Sequence, residues 1–282
     1  MRYSVNIPNF GDFADPRAVA DLAAAAERAG WDGLLVWDHL RGFRQPRPEV
    51  GDPWVLLTAA ALATSTLTIG TLATPVARRR PHQLARVVTT LDRLTGGRVV
   101  LGAGLGAPLD EEFGAYGEPT DPKVVAALLD EGLDLINRYW SGETVTHDGP
   151  AHKVDGVRLL PTPVQRPRVP VWIAGYWPNK PPMRRAARWD GVAPMFADAD
   201  HGFAPSVTAV RDLVDYVGSH REGDGRFDVV VGGATPLTGG VDVVGPLAEA
   251  GATWWDERLP VDSPDLDRFE AVLRRVEAGP PR

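Results

Sequence analysis

LTIGTLATPVARRRPHQLARVVTTLDRLTGGRVVLGAGLG, residues 67–106, holds two short apolar runs with a helical pattern between them. Residues 67–72 and 98–103 are rich in aliphatic and β-branched side chains and have the length of strands buried on both faces. Between them Pro81 can open a helix, Leu84, Val87, Val88, Leu91 and Leu94 fall on one stripe at helical spacing, and Gly96-Gly97 can close it. Two fully buried strands joined by a helical crossover lie parallel, with the helix packed on the sheet in the right-handed sense. The second strand then runs into Gly102-Ala-Gly-Leu-Gly106, where missing side chains let another group approach the backbone.

The same rhythm extends in both directions. A strand at 3–7 ends at Pro8, and a helix capped by Asp15 with Pro16 at its first position ends at Gly30. A second strand, 33–37, stops at Asp38-His39. Residues 40–52 carry Arg, Pro and Gly without a period and read as a loop over the strand ends; 54–63 is helical. After a second irregular stretch, 107–120, Asp121 and Pro122 start a helix toward Trp140 with Val125, Leu128, Leu129 and Ile136 on its buried side. Residues 143–160 break the pattern as a hairpin turning at Asp148-Gly149, a small insertion. Strands at 171–174, 192–195, 227–231 and 253–255 follow, alternating with helices at 183–188, 203–220 and 241–250. Ser263 with Pro264 then caps a last helix carrying Leu266, Phe269, Leu273 and Val276. Eight strands alternating with about eight helices predict a single-domain (β/α)8 TIM barrel over residues 1–282, with active chemistry at the C-terminal strand ends.

The chain has 282 residues, 44% of them hydrophobic and 24% charged, enough for one large soluble core. A net charge of −7 argues against a nucleic-acid footprint. No apolar run approaches a membrane span and the N-terminus is strand-like rather than a signal peptide, so a cytoplasmic location is expected. Cysteine is absent, which removes disulfides and thiolate chemistry. Histidines 82, 147, 152, 201 and 220 form no HExxH or comparable cluster, and no metal is expected.

His39 is the sharpest catalytic candidate, because imidazole titrates near neutrality and the adjacent Asp38 carboxylate can orient it; the alternative is a loop histidine that packs or caps. Gly102-x-Gly-x-Gly106 lacks the spacing of the dinucleotide fingerprint, so it reads either as a tight, closely packed turn or as backbone room for a ligand. Gly175-Tyr176-Trp177 precedes a short helix bearing Lys180, Arg184 and Arg185, a place where backbone amides and cations can receive a phosphate, although surface arginines are usually just solvated. Arg78-Arg79-Arg80 can likewise receive an anion or stay solvated. Trp37 and Trp177 are candidates to face a flat ring.

Three stretches together carry a resemblance: residues 74–106, Gly30-Trp-Asp-Gly-Leu-Leu-Val-Trp-Asp-His39, and Val169-Pro-Val-Trp-Ile-Ala-Gly175. In these the chain resembles the luciferase-like monooxygenases, the flavin- or deazaflavin-dependent oxidoreductases related to bacterial luciferase. The resemblance implies a deazaflavin (coenzyme F420) or FMN at the strand ends. It also implies His39 as the catalytic group beside the ring, with Asp38, Leu72, Ala73, Thr74, Gly104, Gly106, Gly175 and Tyr176 around the coenzyme. Leu72-Ala73 matches the place where the family has a bulge and a non-prolyl cis peptide; the residues alone suggest an ordinary strand end turned by Pro75. Where deazaflavin-dependent sugar-phosphate dehydrogenases of the family carry an acid directly after the last glycine, this chain has Ala107, so their proton donor is missing. The expected function is hydride transfer between a deazaflavin and a small organic substrate. The alternatives are an FMN monooxygenase served by a separate reductase, and a silent barrel that only binds flavin. The resemblance further implies a homodimer, with substrate choice set by the loops at 40–52 and 107–120.

Overall fold

A computed structural model describes residues 1–42, 45–223 and 225–281. The loop expected over 40–52 is therefore described except for residues 43 and 44.

The apolar runs form the strands Arg2–Ile7 (β1), Gly33–Val36 (β2), Thr68–Pro75 (β3) and Val99–Gly104 (β4). They are joined by the helices Pro16–Ala29 (α1), Pro53–Ala63 (α2) and Pro81–Thr95 (α3). Leu109–Glu112 (α4) is a single turn in the irregular stretch before Pro122–Ser141 (α5). Thr144–Asp148 (β5) and Lys153–Arg158 (β6) pair antiparallel as the inserted hairpin. The rhythm then resumes with Val171–Trp177 (β7), Lys180–Ala186 (α6), Gly191–Phe196 (β8), Val207–Gly218 (α7), Asp228–Gly233 (β9), Val241–Glu249 (α8), Trp254–Glu257 (β10) and Phe269–Glu277 (α9). Eight strands close in the order β1-β10-β9-β8-β7-β4-β3-β2, every described pairing among them parallel.

Strand alternation separates two cores. Leu34 and Val36 join the large cluster beneath the helices, whereas Leu35 joins Val100, Trp172, Ala193, Val230 and Trp254 in a separate cluster that plugs the barrel interior. Caps follow the sequence: Asp15, Asp52 and Asp121 accept from the first amides of α1, α2 and α5, each followed by proline, and Gly30, Gly96 and Gly142 end α1, α3 and α5 in the left-handed conformation.

Two expectations are corrected. Leu84, Val88 and Leu91 of α3 are buried, but Val87 and Leu94 are 42% and 50% exposed, so the stripe is narrower than its spacing suggests. The last helix begins at Phe269; Ser263 and Pro264 belong to a preceding turn, and Leu266 packs with Phe10 and Trp37 under the strand ends instead of on a helix face.

Candidate active site

The C-terminal end of β2 delivers Asp38 and His39, and their main chain is pinned from β1's side. Asn9, fully buried, donates from Nδ2 to the carbonyls of His39 (2.8 Å) and Gly51 (2.7 Å) and accepts the His39 amide at 3.0 Å. The imidazole is held by a residue that the sequence did not single out. His39 Nδ1 lies 3.1 Å from Glu112 Oε1, on the single turn α4, while Glu112 Oε2 accepts the Leu40 amide at 2.9 Å and Arg78 Nη1 at 2.6 Å. A carboxylate on Nδ1 fixes the proton there and leaves the lone pair on Nε2, the tautomer of a proton acceptor. Burial opposes ionisation of Glu112, but the His39 hydrogen bond, the Leu40 amide and the charges of His39 and Arg78 prevail and hold it below the usual carboxylate range.

Asp38 therefore does not orient His39 as expected. Its carboxylate is taken by Arg78 Nη2 at 2.8 Å and by Arg79 Nε and Nη2 at 3.1 and 2.9 Å, and Arg78 also donates to the Asp38 carbonyl. Nor are Arg78 and Arg79 simply solvated or an open phosphate site, since the Arg78 side chain is only 4% exposed and Arg79 is bound to the same carboxylate; Arg80 alone of the run is exposed. Asp38 and Glu112, separated by 74 positions in sequence order, share one buried guanidinium that ties the end of β2 to the turn after β4.

Beside His39, β3 and β4 end with little side chain between backbone and solvent. Their register shifts between Thr71 and Thr74, and the Leu72–Ala73 peptide is cis, in agreement with the resemblance rather than with an ordinary turn at Pro75. Thr74 is buried, donating to Thr71 Oγ1 at 3.0 Å, and Thr71 donates to the Gly102 carbonyl at 3.2 Å, so both hydroxyls lock the bulge against β4. A Cβ on Gly102 would stand 2.1 Å from the Thr71 carbonyl oxygen, which makes glycine a packing requirement there. Gly106 adopts φ +85, a left-handed conformation that turns the chain away from the strand end. Leu72, Ala73, Leu105 and Gly106 remain partly exposed, an edge of main chain and small apolar groups against which a planar ring can lie.

Across the mouth, β7 supplies Gly175 and Tyr176. A Cβ on Gly175 would meet Pro182 at 2.4 Å, and the Tyr176 side chain is among the exposed large groups. The expected amide cradle at the next helix is absent, because α6 opens Lys180-Pro181-Pro182 and proline has no N–H to offer. Trp177 does not face the mouth; it packs on Tyr216 with Lys180 over its ring at 3.8 Å. Arg185 is buried and paired through both nitrogens with Asp130, and Arg184 bonds the Tyr216 hydroxyl, so neither is simply solvated.

The fourth side of the mouth is polar and buried. Asp256, at the end of β10, accepts from Ser4 Oγ at 2.8 Å and Asn6 Nδ2 at 2.7 Å and lies 3.9 Å from Arg258 Nη1. His201 stacks edge-on against Trp37, ring centroids 5.1 Å apart, and Trp37 in turn contacts His39 at 5.8 Å. Asn6 Oδ1, His201 Nδ1 and Arg258 Nε find no partner among the described residues, the condition expected where a polar ligand completes the hydrogen bonding. Burial, reinforced by Arg258, drops His201 to about 3, so it is neutral at physiological pH. Burial also raises Asp256 to about 6 from its ordinary 3.8.

The sign of that shift gives a prediction. Between these values the folded chain binds a proton that the unfolded chain does not, so wild-type stability should rise relative to Asp256→Asn as pH falls through about 6, and level off below 3.8. Thermal melts of both proteins between pH 7.5 and pH 4.5, as a rough working range for this linkage, test it. Parallel curves would rule the linkage out.

Elsewhere, His147 bonds Glu131 at 2.9 Å and His152 bonds it through its amide, a brace for the hairpin. Among the described residues no three His, Cys, Asp or Glu side chains form a metal-binding group, and no helix is long and apolar enough to cross a membrane.

Comparison with known proteins places this geometry. The chain is 33% identical over 179 residues to an F420-dependent glucose-6-phosphate dehydrogenase of Nakamurella multipartita, an overlap of 62% of this chain and 50% of that one. The chain spans about half the length of the curated relatives it matches. Its fold superposes with a TM-score of 0.74 on the coenzyme F420 dependent tetrahydromethanopterin reductase of Methanopyrus kandleri, at 17% identity and covering 99% of this chain and 98% of that one. It also superposes with a TM-score of 0.71 on the oxygenating constituent of 3,6-diketocamphane monooxygenase from Pseudomonas putida, solved with FMN, at 16% identity and covering 99% and 96%. A family model for luciferase-like monooxygenases matches residues 1–235. With that match covering most of the chain, and with the barrel and its bulged third strand in place, the protein belongs to the luciferase-like monooxygenase family.

Proposed function

We propose that this protein is an oxidoreductase that transfers a hydride between a deazaflavin coenzyme and a small organic substrate bearing an alcohol or a carbonyl. The observation that carries the reading is His39, held by Glu112 in the proton-accepting tautomer at a strand end beside a nearly bare stretch of main chain. The residues fit the coenzyme. Leu72, Ala73 and the backbone around Gly104 and Gly106 would back the ring, Thr74 holds their bulge in shape from beneath, and Gly175 and Tyr176 would hold its side chain across the mouth. Bound there, the deazaflavin supplies a two-electron acceptor or donor of hydride. His39 Nε2 takes the proton from a substrate hydroxyl, or returns it in the reverse direction, and Glu112 stabilises the imidazolium that results. Asn9 and Arg78 keep that pair in place.

The relatives named as F420-dependent favour the deazaflavin over FMN. The FMN reading, in which a separate reductase delivers reduced flavin for oxygenation, is kept by neighbours solved with FMN or modified FMN. Calorimetric titration with each coenzyme in parallel separates the two. Tight binding of the deazaflavin and weak binding of FMN is the expected result, the reverse order favours the monooxygenase, and binding of neither removes the coenzyme assignment.

A homodimer forms part of the proposal. Val55 and Leu62 of α2 and Val87 and Leu94 of α3, pairs seven residues apart on two packed helices, are 59%, 72%, 42% and 50% exposed. Light scattering should return twice the 30.4 kDa chain mass; a monomer at micromolar concentration counts against it. A cytoplasmic location is proposed with it on the acidic, cysteine-free composition, and cell fractionation checks it.

A further inference from the structure

The barrel's other end is not closed by packing alone. A cavity of about 860 Å³ opens at the N-terminal ends of the strands, where conserved chemistry is ordinarily absent and side chains serve stability. Its size suits a small organic ligand. Seven arginines and three carboxylates line it; Arg168 pairs with Asp190 and Arg188 with Asp130, which leaves five arginines against Asp228 and Glu222 in a chain of net charge −7.

The arginines are incompletely neutralised. Arg2 Nη2 and Arg226 Nη2 both reach the same oxygen, Asp228 Oδ1, at 3.3 Å each, and Thr253 Oγ1 donates to it as well. One carboxylate thus faces two guanidinium groups, at distances longer than a good charge-assisted bond. Arg166 and Arg221 donate to main-chain carbonyls, which satisfy N–H groups and leave the charge. The floor adds unused donors. Trp172, Trp189 and Trp254 line the cavity, are at least nine-tenths buried, and have indole N–H groups without an acceptor among the described residues. Three orphaned donors on residues that line one cationic cavity complement an anion with additional acceptor oxygens.

We propose that the N-terminal mouth of the barrel binds a small organic polyanion carrying carboxylate or phosphate groups, with an acidic group between Arg2 and Arg226 and acceptor oxygens on the indole N–H groups of Trp172 and Trp254. The site lies at the opposite end of the strands from His39, and its binding stands or falls independently of the coenzyme assignment.

Calorimetric titration of the full chain with citrate and, separately, with pyrophosphate tests this, with sodium chloride at matched ionic strength as the control. Saturable binding of citrate alone assigns carboxylates, of pyrophosphate alone phosphates, and of both a site that reads oxyanion charge. Arg226→Ala, at a 67% exposed side chain that the fold does not depend on, should weaken binding by about tenfold or more. Trp172→Phe, which keeps the ring and removes the N–H, should weaken it about three- to tenfold, with melting curves confirming the fold. The proposal is overturned if neither anion saturates, if chloride reproduces the heats, or if Arg226→Ala binds as tightly as wild type.

Discussion

Replacing His39 by Ala should lower turnover by about 10²- to 10⁴-fold, the range for loss of a positioned acid-base group, while the coenzyme remains bound. The split between the two readouts follows from the geometry. The surface proposed to face the coenzyme is mostly main chain around residues 72–73 and 104–106, which the substitution does not touch, whereas the proposed proton acceptor is one nitrogen of one imidazole. Glu112→Gln is the companion. As a positioning residue it should shift the pH dependence of turnover and lower kcat by less than the loss of His39 itself, because an amide can still accept from Nδ1 but no longer stabilises an imidazolium. If His39→Ala turns over at the wild-type rate with coenzyme bound, His39 is a packing residue and another group moves the proton.

The second large effect concerns stability. Arg78→Ala should destabilise the fold by about 3–5 kcal/mol in urea unfolding, the cost of breaking a buried ion pair from one side. Both of its carboxylate partners have side chains no more than 3% exposed, so they keep their desolvation penalty when the guanidinium goes. Asp38 retains Arg79, and Glu112 retains His39 and the Leu40 amide, which puts the expectation within rather than above that range. A loss below about 1 kcal/mol would show the pair to be effectively solvated. Acid should produce part of the same effect in the wild type. The folded value of Glu112 is depressed, so its contribution is complete above the ordinary 4.5 and disappears as pH falls through the lower folded value. The stability difference between wild type and Glu112→Gln should therefore shrink in that acid window and stay constant above it.

Much of the fold was legible because strands and helices in a parallel barrel carry their own periodicity. Residues 67–106 contained a complete strand, helix and strand with proline and glycine at the boundaries, and the structure reproduces them as β3, α3 and β4. Even the short strands expected at 192–195 and 253–255 are present, as β8 and β10. The failures are where local signals compete with packing. Val87 and Leu94 have helical spacing but lie beyond the arc of α3 that meets its neighbours, and Ser263-Pro264 has the form of a helix start but forms a turn that seats Leu266 under Phe10 and Trp37.

For the site, the sequence by itself determined a barrel, a histidine at the end of its second strand, and a glycine-rich end to its fourth, because each is a property of a few consecutive residues. What only the tertiary structure decided is who meets whom. Glu112 is one acid of the run Asp110-Glu111-Glu112 in a stretch without periodicity, and nothing local distinguishes it from the exposed Asp110 and the half-buried Glu111. It becomes the partner of His39 because strand pairing sets the ends of β2, β3 and β4 side by side and α4 turns its last residue back over them. Asp38 is adjacent to His39 in the chain yet serves Arg78 and Arg79, since successive side chains at a strand end leave on opposite sides. His201 and Arg258 likewise reach the mouth from the ends of distant strands. Such contacts are made by closure of the barrel, an arrangement of hydrogen bonds among all eight strands that no short segment encodes.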